Sequence, residues 1–173
     1  VFGNFDLSNF WAPSDYARKE YVDDPPSADL VASIEAELGY RLPAAYVELA
    51  QHQNGGVPRN TCHRTATSTS WADDHIAVTG IYSIGRRKRY LLGGSMGSRF
   101  RTNEWEYPPI GIYFANCPSA GHDMICLDYR ACRPDGEPQV VHIDQELDYR
   151  ITLVAPTFEA FIRGLESEDN FLP

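Results

Sequence analysis

Between Pro108 and Glu146 one pattern recurs three times, and that recurrence restricts the fold more than any other feature of the chain. The runs "PPIGIYFANC", "DMICLDYRAC" and "PQVVHIDQE" have strand length and are rich in β-branched and aromatic residues. In the second, Ile125, Leu127 and Tyr129 alternate with Met124, Cys126, Asp128 and Arg130. In the third, Val141 and Ile143 are out of phase with His142 and Asp144, as the two faces of a pleated strand require. "RPDGEP" between them is made of turn residues, so an antiparallel pair is the simplest join. A fourth run, "IAVTGIYSIG", has strand composition, and "GRRKRYLLGGSMGS" after it reads as a surface turn with a short segment.

Helical patterns flank this strand-rich middle. "PPSADLVASIEAELG" places Leu30, Val31, Ile34 and Leu38 on one face, with Ser27 as cap and Gly39 as stop. In "GYRLPAAYVELAQHQNGGVPRN", Pro43 suits a first helical position because its missing N–H would have no partner there. Tyr46 and Leu49 then point to the core, and Asn54, Gly55 and Gly56 are expected to end the helix, a glycine taking the left-handed conformation. A helix carboxy terminus repels phosphate, so these glycines do not form a phosphate loop. "APTFEAFIRGL" gives a closing helix with Phe158, Phe161, Ile162 and Leu165 at helical spacing.

Helices around a multi-stranded middle predict a single α+β domain with a largely antiparallel sheet packed against helices. The 173 residues suit one domain, and no internal repeat or linker divides them. Residues 1–26 form an arm rich in aromatics, including Phe2, Phe10, Trp11 and Tyr21, which is expected to pack on the domain at 27–166. Residues 167–173 are expected to be a loose acidic tail.

Charge narrows the partners. The chain has 24 acidic and 15 basic residues, a formal net charge of -9. Such a balance opposes direct binding to nucleic acid or anionic membrane and favours a partner with a basic surface. Arg86, Arg87, Lys88 and Arg89 beside Tyr90 are the one basic island, read as a solvated turn balanced by nearby acids. No apolar run approaches the ~20 residues that cross a bilayer, and the first residues lack a basic region followed by an apolar one. The expectation is a cytoplasmic protein with Cys62, Cys117, Cys126 and Cys132 reduced; nothing in the sequence sets the oligomeric state.

Chemical motifs are sparse. His122 and Asp123 could centre a small hydrolase only with a nucleophile and a shaped cavity nearby, and no G-x-S-x-G elbow accompanies them. Cys62–His63, the trio Cys117, His122 and Cys126, and His75 with Asp73 and Asp74 contain metal donors at spacings that match no finger or ribbon. No catalytic, metal or cofactor residue is therefore assigned. Trp71, Trp105 and Tyr107 with the acids Asp73, Asp74, Glu104 and Glu106 have the chemistry of a protein-binding face. Trp105 and Tyr107 also alternate with Glu104 and Glu106, a pattern that fits core residues equally well.

The ordered motifs resemble a known family. "LVASIEAELGYRLPAAYVELAQHQNGGVP" is similar to the amino-terminal signature of the SUKH superfamily in its Smi/Knr-like branch, through Glu35, Leu42, Pro43, Tyr46, Asn54, Gly55 and Gly56. "GHDMICLDY" resembles its glycine-led strand through Gly121, Asp123, Leu127 and Asp128. "PQVVHIDQE" and "VAPTFEAFIRGL" resemble the next strand and closing helix through Val141, Asp144, Phe158, Phe161 and Leu165. The resemblance implies a twisted sheet packed against helices and a non-enzymatic binding module. Bacterial relatives look mostly like immunity proteins that neutralise cognate toxins, many of them nucleases or deaminases, so the resemblance implies an immunity protein. Fungal relatives are regulators of cell-wall synthesis and signalling, which makes a regulatory scaffold the alternative.

Overall fold

The computed structural model describes residues 1–172. In chain order the helices and strands are α1 (Asp15–Glu20), α2 (Ala28–Leu38), α3 (Ala44–His52), β1 (Cys62–Arg64), β2 (His75–Ala77), β3 (Gly80–Ile81), α4 (Ser98–Asn103), β4 (Gly111–Asn116), β5 (Asp123–Asp128), β6 (Gln139–Asp144), β7 (Arg150–Ala155) and α5 (Phe158–Gly164). The protein is an α+β fold. Strands β3 to β7 form an antiparallel meander in sequence order, and β1 and β2 form a separate hairpin.

Every residue of β5 is buried, so both faces of the sheet centre are covered. An aromatic cluster ties the helices to this centre. Tyr46 of α3 lies 4.6 Å from Phe158 of α5 and 5.9 Å from Phe114 of β4, and Phe114 meets Phe161 edge-on at 5.6 Å. Such pairs contribute about 0.5–1.5 kcal/mol each beyond the area they bury. The Tyr46 hydroxyl satisfies itself in the core by donating to the Tyr82 carbonyl at 2.6 Å. Phe114 sits in a β-bulge between Tyr113 and Ala115, and the successive aromatic residues Tyr113 and Phe114 are both buried.

The amino-terminal motif has a physical explanation at each position. Ser27 caps α2 by accepting from the Leu30 N–H, and Gly39 ends it at φ 82°. Glu35 Oε2 accepts from the Leu42 N–H at 2.7 Å, fixing the turn that delivers Pro43 to the start of α3. The Asn54–Gly55–Gly56 segment departs from the expected helix stop. The last turn of α3 is closed by Gln53 in an extended conformation, before Asn54 is reached. Asn54 is 1% exposed and works as a clamp. Its side chain accepts from the Ile84 N–H at 2.7 Å and donates to the carbonyls of Ile84 at 3.0 Å and Asp24 at 2.8 Å. Gly55 at φ 85° lets the backbone pass beside Ser83, where a Cβ would lie 2.6 Å from the Tyr21 carbonyl oxygen.

Four further features differ from the sequence expectations. "IAVTGIYSIG" divides between two sheets, His75–Ala77 pairing with β1 and Gly80–Ile81 joining the meander, because the chain crosses over at Val78–Thr79. Helix α4 arises inside the expected surface segment's end, without a side-chain cap, and is held by tertiary bonds such as Tyr113 N–H to Ser98 Oγ at 2.9 Å. "RITLVA" forms the edge strand β7 directly ahead of the closing helix, which Thr157 caps. The acidic tail is docked: the Phe171 ring stacks on His75 at 4.2 Å and lies under the Arg64 guanidinium at 4.6 Å. Pro173 of that tail lies outside the described residues.

Phe2, Phe10, Trp11 and Tyr21 are buried, and Trp11 bridges to Pro58.

Candidate protein-binding site

Several exposed acids lie on the loops around one end of the sheet. There β4 ends at Asn116, β5 begins at Asp123, β6 ends at Asp144 and β7 begins at Arg150, with Asp123 opposite Asp144 and Asp144 opposite Arg150. Two loops close over this end. The 65–74 loop is tied by Ser70 N–H to Asp144 Oδ2 at 3.0 Å and by Arg150 Nη2 to the Ser68 carbonyl at 2.7 Å. The 104–107 loop is tied by the Tyr149 hydroxyl to the Trp105 carbonyl and by the Tyr107 hydroxyl to the Gly121 carbonyl, both at 2.7 Å. Glu106, Ala120, Asp148 and Tyr149 are the non-glycine residues with positive φ among the described residues, and all four lie at this end. Each such conformation costs of order 1–3 kcal/mol and persists only where surrounding contacts hold it.

The side chains singled out from sequence separate into two groups. Trp71, Asp73, Asp74, Glu104 and Glu106 are exposed. Trp105 is half-buried, its ring edge-on to Phe100 at 5.2 Å. Tyr107 is 1% exposed and packs between Tyr113 and Tyr149, so its ring serves the core. The β6–β7 connection adds three exposed residues that sequence reasoning did not single out: Glu146, Leu147 and Asp148. The available signal was a lone leucine inside the polar turn "QELDY". Leu147 at 41% and Trp71 at 44% exposure are large apolar side chains open to solvent beside these acids.

His122 and Asp123 do not converge. His122 is exposed and pairs with Glu146, whereas Asp123 is buried against His142. His142 Nε2 lies 2.6 Å from Asp123 Oδ2, and Ser119 Oγ donates to the other carboxylate oxygen. A Ser-His-Asp relay needs the imidazole between hydroxyl and carboxylate. Here the carboxylate is in the middle. Burial pushes the Asp123 carboxyl up, but the bonds from His142 and Ser119 outweigh it and leave the group below the usual carboxylate range. The Cys117 thiol beside it is pushed well up by burial, which disfavours the nucleophilic thiolate.

Cys117, Asp123 and His142 also place three potential ligand atoms within 4.8 Å of one another. Two donors on one tetrahedral zinc ion, at about 2.0–2.1 Å each, would be separated by roughly 3.3 Å. At 2.6 Å the His142–Asp123 pair shares a proton, and it would have to part before a metal could enter. As it stands the cluster is a buried hydrogen-bond network joining β5 to β6. Asp128, at the other end of β5, is held similarly by the Arg130 guanidinium at 2.8 Å.

Two of the four cations of the basic island are paired within the fold. Arg86 meets Glu37 at 3.1 Å, Arg87 meets Asp23 and Asp24, and Lys88 donates to the Arg18 carbonyl. The pairing acids come from α2 and the turn before it.

Residues 25–164 match the model of the SMI1 / KNR4 family (SUKH-1). The chain belongs to this family. The matched region of this SMI1 / KNR4 (SUKH-1) domain runs from the turn before α2 through the last residue of α5, so it contains both helices of the amino-terminal motif and the whole meander. No curated protein matches the chain by sequence.

Proposed function

We propose that this SUKH-1 protein acts by stoichiometric binding of a protein partner at the acidic end of its sheet, and that the partner is a cognate toxin with a basic surface. The observation that carries the reading is the set of exposed acids, Asp73, Asp74, Glu104, Glu106, Glu146 and Asp148, arranged around the solvent-exposed Trp71 and Leu147. Apolar anchors inside a charged rim are the usual source of interface affinity, and the rim charge speeds encounter with an oppositely charged partner. The net charge of -9 supports the same polarity of partner. The strained turns bearing Glu106 and Asp148 support it too, since backbone held in costly conformations gathers at binding sites. Family membership supports a binding role, with inhibition of a nuclease or deaminase as the specific form proposed.

Coexpression with the toxin encoded beside it, followed by growth measurement and pull-down, tests the proposal. Wild type is expected to restore growth and to be captured with the toxin. The double variant Asp73→Lys/Glu146→Lys is expected to lose at least tenfold in affinity while retaining its fold. Retention of full affinity by that variant removes the acidic end as the interface. Failure of wild type to bind or rescue removes the toxin reading and leaves a regulatory scaffold.

A further inference from the structure

A second surface has the opposite electrical character. Between α4, the end of β4 and the following turn lies a cavity of about 510 Å³, within the size range of small-ligand pockets. Its wall includes Tyr90, Arg89, Arg101, Trp105, Asn116 and Cys117, and two arginines but no Asp or Glu contribute to it. In a chain with 24 acids and 15 bases, that composition runs against the average.

Arg101 is the distinctive element. It is 6% exposed and has no carboxylate partner among the described residues. Its guanidinium donates to the Met96 carbonyl at 3.1 Å and to the Tyr82 hydroxyl at 2.8 Å, and its Nε makes no hydrogen bond. Burial pushes the Tyr82 phenol up to about 12, so that partner is neutral and cancels no charge. The rings of Tyr82, Phe100 and Trp105 surround the cation at 5.0–5.5 Å. Cation–π contact offsets part of the desolvation cost but supplies no counter-charge. Buried cations are ordinarily paired, and an unpaired one costs several kcal/mol. Arg89, whose guanidinium rests over Tyr90 at 5.3 Å, is exposed and also has no acidic partner among the described residues.

We infer that this cavity binds a small organic anion, a carboxylate carried on a flat apolar group, with the carboxylate directed to the Arg101 side of the cavity and the flat group against Trp105 and Tyr90. Arginine is matched to carboxylate by its planar fork of donors, and the half-buried aromatic walls suit a ring. A dianionic phosphate is a poorer match, because one buried guanidinium and one exposed one face it across a lining that includes the rings of Tyr82, Tyr90, Phe100 and Trp105. The cavity adjoins the acidic end of the sheet, sharing Trp105, Ala120 and Gly121 with the loops there, but its ligand test needs no toxin.

The test titrates the full chain with 3-phenylpropanoate and with its neutral isostere 3-phenylpropanamide, reading tryptophan fluorescence and calorimetric heat. The acid is expected to saturate and to bind at least tenfold more tightly than the amide. Arg101→Met, which keeps length without charge, is expected to abolish the difference. Should that variant not fold, the exposed Arg89→Ala change is expected to weaken the acid severalfold and leave the amide unmoved. N-acetylphenylalanine, which copies a peptide carboxy terminus, separates the two sources of such a group: tighter binding than 3-phenylpropanoate assigns the cavity to a chain end, weaker binding to a free acid. Equal affinity for acid and amide, or acid binding that survives Arg101→Met in a folded protein, overturns the inference.

Discussion

Replacing Asn54 should be among the most damaging single changes outside the aromatic core. In Asn54→Ala the Ile84 N–H and C=O lose their partners at 2.7 and 3.0 Å, and both bonds are buried. Stranding a buried polar group costs about 1–3 kcal/mol. The Asp24 carbonyl is only part-buried and can turn to water, so it is left out of the count. Two stranded groups give a loss of about 2–6 kcal/mol, a large share of the roughly 5–15 kcal/mol that holds a domain folded. For a chain of this size that is a fall in Tm of about 4–24 °C. Asn54→Asp sharpens the test. It keeps an acceptor for Ile84 N–H but turns a carboxylate toward two carbonyl oxygens, so the folded state favours the protonated acid and its pKa rises above the ordinary ~3.9. A raised carboxyl pKa means the folded protein holds a proton that the unfolded chain releases. The deficit of Asn54→Asp relative to wild type should therefore grow as pH rises from about 4 and shrink in acid. Urea unfolding of wild type and both variants at pH 7 and pH 4.5 measures this directly. A loss under about 0.5 kcal/mol in Asn54→Ala, the range of an ordinary surface change, would refute the clamp.

Gly55→Val should destabilise by more than the ~1 kcal/mol of a helix-propensity change, because a Cβ at φ 85° meets the backbone of Tyr21 and Ser83; an unchanged melting temperature with lost partner binding would instead make the segment a contact surface. Phe171→Ala should cost about 1 kcal/mol in chemical unfolding through lost stacking on His75 and Arg64, where a loose tail would lose nothing. Asp123 contributes stability that is present above its unfolded pKa and lost as pH falls through its lowered folded value. Asp123→Asn should accordingly flatten the acid limb of the stability curve below about pH 4, measured against wild type from pH 6 to pH 3.

How far the sequence disclosed this molecule depended on whether the deciding interaction was local. Ser27 and Gly39 act on residues within one helical turn, and their positions located α2. The three strand runs were legible because β4, β5 and β6 carry continuous apolar stretches. Helix α4 was not, since six residues without a cap form there only because Arg101 and Ser98 bond to distant chain. Asn54 illustrates the same limit: its residue type fits a helix end, and only the approach of Ile84 turns it into a clamp. At the candidate face, Trp71, Asp73 and Asp74 are exposed, and the alternation of residues 104–107 held both answers, with Tyr107 taking the core one. Glu146 and Asp148 join the same surface through the fold of the β6–β7 turn, and Arg101 gains its meaning only from the acids that do not surround it.

The unit of descent and the unit of cooperative unfolding differ in this protein. The family match begins at residue 25, yet the Tyr21 ring fills the space where a side chain on Gly80 would be, 2.2 Å from its Cβ position. The same ring stacks on Tyr90 at 4.4 Å and hydrogen-bonds Asn116 at 2.8 Å, so it seals the short edge strand β3. Excising residues 25–164 would therefore leave a slot in the sheet, with β3 deprived of its lateral cover and free to seek another strand. The arm and the family domain should melt together in one transition, because the arm supplies part of the sheet's edge.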